Sequence, residues 1–164
     1  MAPLSTVSEK NETVVPVTVN ISLVLLKVFN IEVNHAIDFK FEISMEWFEK
    51  RVKYHNLKEE ITLNRLTSSE MAELWIPYVI YHNTDMMDAV KMDDEIDTTM
   101  TVTREGNFTR SPLSVADEVL IFEGSENRIT LNQTYSKMVQ CTYNLRKYPF
   151  DTQVSTAYRN MHII

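Results

Sequence analysis

The sequence predicts an all-β sandwich, and three observations carry that prediction. Two consecutive stretches alternate apolar and polar residues with the two-residue period of a half-buried strand. The later part of the chain breaks into short apolar runs separated by turn residues, and little of it has the pattern of a helix. Its 164 residues suffice for one domain with one sizeable core. A composition of 44% hydrophobic and 24% charged residues is that of a globular protein rather than a disordered one.

Residues 1–13 are polar without periodicity and read as a flexible lead-in. From Val15 the alternation is strict: Val15, Val17, Val19, Ile21, Leu23 and Leu25 share one face, and Pro16, Thr18, Asn20 and Ser22 the other. Val24 and Leu26 are apolar as well, so the later half of this strand is expected to be covered on both faces. After a polar turn, Phe39, Phe41, Ile43, Met45 and Trp47 alternate with Asp38, Lys40, Glu42, Ser44 and Glu46, which predicts an antiparallel partner with one wet face. A one-residue slip would invert every side chain, so the pattern sends Phe41, Ile43 and Met45 to the core and Glu42 and Ser44 to the solvated side. Residues 57–73 form a mixed connection with a helical turn at 69–73, too short to be stable by itself. Further strands are expected around 99–104, 119–122, 128–131 and 135–143, with Glu105-Gly106-Asn107 and Glu123-Gly124-Ser125 as turns between them. There is no internal repeat and no low-complexity tract.

Several function classes fall on composition. A net charge of -7 disfavours nucleic acid as a partner. Gly106 and Gly124 are the only glycines, so a Gly-rich phosphate loop has no material. His35, His55, His82 and His162 are scattered with no metal-ligand spacing, Cys141 has no neighbouring histidine, and no Gly-x-Ser-x-Gly elbow occurs. The chain therefore reads as non-enzymatic, with no metal and no cofactor. The acidic cluster Asp93, Asp94, Glu95 and Asp97 lacks the glycine and ligand spacing of a calcium loop and reads as a solvated turn. No run of eighteen apolar residues spans a bilayer, and Met1 to Ser5 lead into a polar stretch without the apolar core of a secretory signal. Asn11, Asn20, Asn107 and Asn132 each begin an N-glycosylation triplet, which leans toward an extracellular setting.

Three segments carry a resemblance. The first is Cys141-Thr-Tyr-Asn-Leu145 through Tyr148-Pro149-Phe150-Asp151 and Gln153 to Ser155, in which an aromatic-Pro pair stiffens a turn between apolar groups. The second is Trp47-Phe48-Glu49-Lys50-Arg51-Val52; taken alone, its Trp47 and Arg51 also read as a core anchor and a surface charge. The third is Leu74-Trp75-Ile76-Pro77-Tyr78 with Asn83 after it. In this order the segments resemble the Cys-loop (pentameric neurotransmitter-gated) ion channel family: the first its signature loop, the second its Trp-x-Asp-x-Arg-Leu strand ending, the third its Trp-x-Pro-Asp strand. Ser155 stands where that family has its second cysteine, so the bond to Cys141 cannot form within this chain. Pro149 and burial of Leu145 and Phe150 are left to specify the turn.

The resemblance implies an immunoglobulin-like β-sandwich, with residues 14–164 as a partial ligand-binding domain incomplete at the C-terminus. Two binding loops, the membrane helices and the signal would lie outside the chain. It implies the extracellular part of a channel subunit at the plasma membrane, on the postsynaptic side in a nervous system. Such a subunit binds a small transmitter between neighbours in a pentamer and opens a transmembrane pore. Loop A would be 75–83, loop D 42–47 and loop E 127–139. Glu42 stands where many members have an aromatic and Ser44 where glycine- and GABA-gated members have an arginine. Tyr78 replaces the usual aspartate, and His82 is nearest to the tyrosine of acetylcholine-gated members, a solvent-facing histidine being the plainer reading. Without the guanidinium at position 44, a transmitter carboxylate loses its partner, and without the ring at 42 an amine loses a cage wall. Tyr148, Pro149, Phe150 and Asp151 would form the tip that presses on the membrane domain. A soluble secreted transmitter-binding protein of the same fold is the alternative, which the apolar tip disfavours.

Overall fold

The alternating stretch that ends at Trp47 is realised as one strand, β3 (Ala36–Trp47). Phe41, Ile43, Met45 and Trp47 are buried, while Glu42, Ser44 and Glu46 on the opposite face are half-buried, as the period-two pattern requires. The structure is a computed structural model, and it describes residues 5–6, 16–32, 36–82, 89–91, 95–110, 119–140 and 161–163.

The other described strands are β1 (Ser5–Thr6), β2 (Asn20–Glu32), β4 (Val52–His55), β5 (Val79–His82), β6 (Ala89–Lys91), β7 (Asp97–Val102), β8 (Phe108–Arg110), β9 (Leu120–Glu123), β10 (Ile129–Gln140) and β11 (Met161–Ile163). They form three sheets, in the orders β1-β4-β9-β8, β2-β3-β10-β7 and β11-β5-β6. Helix among the described residues is confined to a 3-10 turn at Ile61–Asn64 and to α1 (Ser68–Ala72). The all-β class is as the sequence predicts.

The chain divides into two compact units, one made of residues 1–22, 44–75 and 98–132, the other of 23–43, 76–97 and 133–164. In the first unit, β4 and β9 bury Val52, Tyr54 and Phe122, and the end of β3 with β7 and β10 buries Met45, Trp47, Met100, Val102, Ile129 and Leu131. Alternate residues thus turn inward from strands of two sheets, the arrangement of a β-sandwich core. Each buried Val, Leu, Ile, Phe or Met among them contributes roughly 1.5–3 kcal/mol by leaving water. Lys53 and Glu123, opposite each other in the β4–β9 register, close a 2.9 Å ion pair on the outer face. In the second unit, β5 pairs antiparallel with β6 and β11, Val79 is buried, and Phe41 stacks on Tyr135 with ring centroids 5.7 Å apart.

Several expectations need correction. The first predicted strand begins at Asn20 rather than Val15, and its later half is not covered: Val24 and Leu26 are each 50% exposed. Apolar periodicity reports which face is apolar, not whether anything lies on it. The two runs predicted at 128–131 and 135–143 are one twelve-residue strand, β10, which continues through Asn132, Gln133 and Thr134. Lying between β3 and β7, it finds partners on both edges, and these outweigh the polar triplet. The helical turn runs over 68–72 because Thr67 caps it: the Thr67 hydroxyl accepts from the Glu70 N–H, and the Glu70 carboxylate accepts from the Thr67 N–H at 2.7 Å. Apart from these corrections, Ser5–Thr6 pair with Val52 and Lys53 of β4.

Candidate functional site

Strand period brings Glu42 and Ser44 together, two residues apart on the half-exposed face of β3. Their side chains offer a carboxylate and a hydroxyl, with neither a guanidinium nor an aromatic ring. Tyr78 is exposed between the buried Pro77 and the start of β5. His82 ends β5, in register with Ala89 of β6. The four candidate residues are therefore held on two elements, β3 and the β5 segment. The predicted loop E stretch falls on β10 and the turn before it. Cys141, Ser155 and the tip Tyr148, Pro149, Phe150 and Asp151 lie outside the described residues, as does Asn11.

Beyond β3 the chain makes a corner that the sequence only half reveals. The Val52 N–H donates to the Glu49 carbonyl at 3.2 Å, and the Gly124 N–H donates to the Val52 carbonyl at 2.9 Å. A Cβ at Gly124 would strike the Glu49 carbonyl oxygen and lie 2.6 Å from that of Val52, so the close approach needs glycine. Glu49 is 2% exposed, yet its carboxylate is paired: Arg51 donates to it from Nε at 2.7 Å and from Nη2 at 2.8 Å. This bidentate contact holds the Glu49 carboxyl below its usual range against the opposing pull of burial, and raises the Arg51 guanidinium further. The Arg51 side chain is itself 67% exposed, a surface charge that reaches inward to a partner.

Trp47 is the core anchor the sequence suggests, fully buried and edge-on to Trp75 with centroids 6.2 Å apart. Its Nε1 and the Tyr54 hydroxyl are buried without a hydrogen-bond partner among the described residues. Burial first, and the Glu49 charge second, push the Tyr54 hydroxyl well above its ordinary pKa.

Three asparagines fasten the loops and escaped the sequence reading. The buried Asn127 accepts from the N–H groups of Glu105 and Gly106 at 3.1 and 3.2 Å and donates to the Glu123 carbonyl at 2.7 Å. Asn64, also buried, accepts from the Lys58 N–H and donates to the Lys58 and Val102 carbonyls. Asn56, at a positive φ of 54°, accepts from the Leu120 N–H. In sequence Asn127 sits among turn-forming residues and Asn56 and Asn64 among mixed ones, and neither setting gives a sign of such a role.

In the first unit an open depression of about 660 Å³ lies between the segment 56–63, Arg104 and Leu120. The Arg104 guanidinium there lies over the rings of Phe108 and Phe122 at 5.7 and 5.1 Å, with the Glu59 carboxylate 3.9 Å away. Lys58, Glu59, Glu60 and Arg104 place both signs of charge on one wall, and none of the candidate ligand residues lines it. Among the described residues no group of three His, Cys, Asp or Glu is placed to hold a metal ion.

A β-sandwich carrying these segments in this order has a counterpart among known proteins: residues 4–157 match the neurotransmitter-gated ion-channel ligand binding domain, and the chain belongs to that family. The family is one of receptors rather than enzymes, and its members are extracellular domains of membrane channels. No curated protein matches the chain. No helix among the described residues is long and apolar enough to cross a membrane.

Proposed function

We propose that the chain is the extracellular part of a ligand-gated ion channel subunit at the plasma membrane. It binds a small transmitter between neighbouring subunits of a pentamer and passes that event through Tyr148 to Asp151 to a pore built by membrane segments outside these 164 residues. Beyond membership of the family, the observation that carries the reading is β3: Glu42 and Ser44 stand on the face away from the core, where a ligand or a neighbour can reach them. The chemistry of that pair sets the expected ligand preference. A hydroxyl cannot replace a guanidinium against a carboxylate, and a carboxylate cannot replace an aromatic wall around an amine. This subunit is then an accessory or divergent one, contributing a weak complementary face and relying on a partner subunit for tight binding.

The test is expression of the full-length protein, alone and with other subunits of the family, under voltage clamp while small transmitters are applied. Ligand-evoked current is expected, and Ser44→Arg should lower the concentration at which carboxylate-bearing transmitters act. No evoked current in any combination overturns the reading; a response indifferent to both Ser44→Arg and Glu42→Gln removes β3 from the site.

A further inference from the structure

The four glycosylation triplets are indistinguishable by sequence, and the fold separates two of them, Asn107 and Asn132. Asn107 lies in the turn that opens β8, and every residue from Asn107 to Arg110 is exposed. Among the described strands β8 ends its sheet, paired on one side with β9 through Phe108 to Phe122, Thr109 to Ile121 and Arg110 to Leu120. The turn before it is pinned by Asn127, and the Asn107 N–H donates to the Glu126 carboxylate at 3.2 Å, while the Asn107 side chain is left to solvent. Asn132 contrasts on each count. It is half-buried, inside the continuous strand β10, whose sheet neighbours are β3 and β7, and the Thr134 carbonyl of its triplet accepts from the Ile96 N–H at 2.7 Å.

We infer that Asn107 is an N-glycan attachment site whose oligosaccharide stands over the β8 edge, and that Asn132 is occupied far less. The donor is a lipid diphosphate-linked oligosaccharide: the Asn107 side-chain nitrogen bonds to the first sugar carbon, the carbon–oxygen bond to the diphosphate breaks, and the amide gives up one proton as the lipid diphosphate leaves. The Thr109 hydroxyl completes the triplet the transferase reads. Attachment precedes folding, so the fold acts by selection. A sugar on an exposed turn leaves the sheet intact, whereas one on a central strand must be accommodated on the sheet face between neighbours. At the β8 edge the sugar also blocks pairing with another chain beside the exposed Phe108.

The inference rests on the extracellular reading above, and the experiment separates the two. The chain is expressed behind a secretory leader, so that entry into the glycosylating compartment does not depend on that reading. Glycopeptidase digestion in heavy-oxygen water then marks each formerly glycosylated asparagine, and peptide mass spectrometry reads occupancy in the secreted and the retained fractions. Asn107 should be marked in most molecules and several-fold more often than Asn132. Asn107→Gln and Thr109→Ala should each remove one glycan from the gel pattern, and Thr109→Ser should keep it. An unmarked Asn107, or an Asn132 marked as often, overturns the site and leaves the channel reading standing. Failure of the natural full-length protein to reach the cell surface overturns that reading alone.

Discussion

Tyr54 and Glu49 are two buried polar groups a few residues apart whose fates differ because only one has a partner. The Tyr54 hydroxyl gives up its water and gains no hydrogen bond among the described residues, so Tyr54→Phe should leave stability unchanged or raise it by about 1 kcal/mol. Its raised pKa favours the neutral form in the folded protein. That preference is fully present below the unfolded tyrosine value, about 10, and is lost as pH rises above it. Urea melts across alkaline pH should therefore show stability falling in the parent and falling less steeply in Tyr54→Phe; identical slopes would refute this account. Glu49 works in the other direction. Its lowered pKa contributes stability above the unfolded carboxylate value, about 4.3, that disappears as pH falls through the folded one. Glu49→Gln should flatten the acid limb, modestly, because Arg51 lies in solvent and salt screens it.

At the scale of elements, the corner joining β3 to β4 depends on a glycine far away in sequence, Gly124 against Glu49 and Val52. Neither glycine has a positive φ, so the need at Gly124 is steric rather than conformational. Gly124→Ala would drive a methyl into two backbone carbonyls that cannot turn aside, and should cost about 1–3 kcal/mol by denaturant melting. Gly106→Ala meets the Cβ and carboxylate of Glu126 rather than backbone carbonyls, in an exposed turn, and should cost less. Equal costs at the two positions would show that the corner yields. None of this was visible in the sequence, where both glycines read as ordinary turn residues. The β3 pattern was legible in full because alternation over nine residues admits one register. By contrast, β4, β6 and β8 are three or four residues long and carry too few alternating positions to stand out. The same limit applies to the candidate site: the facing of Glu42 and Ser44 followed from period alone, whereas Asn56, Asn64 and Asn127 act through hydrogen bonds to residues that only the fold brings near.

For the molecule as a whole, the apolar residues left in water along β2 are the feature that the proposed assembly would account for. Val24, Leu25, Leu26 and Val28 are successive or nearly so and 43–50% exposed, in a strand that stands at the end of its sheet order. Contiguous apolar surface of this kind marks an association site or an aggregation hazard, and an apolar strand at a sheet edge adds the hazard of unsatisfied pairing. In the pentamer proposed above, subunits joined head to tail would each have two different contact faces, and a face along β2 would be covered once in every copy. Val24→Thr keeps the shape of the side chain and Leu26→Ser shortens it, and both make the face polar. Because both positions are already half in water, the stability of the single domain should change by no more than about 0.5–1 kcal/mol. Assembly should respond far more strongly, since the same side chains would be desolvated at every interface of the ring. The full-length double variant in mild detergent should sediment with a smaller pentameric fraction than the parent at equal concentration. If the pentameric fraction is unchanged, β2 lies away from the contacts. If instead the variant's melting midpoint drops by the amount typical of core truncation, β2 is covered within its own subunit.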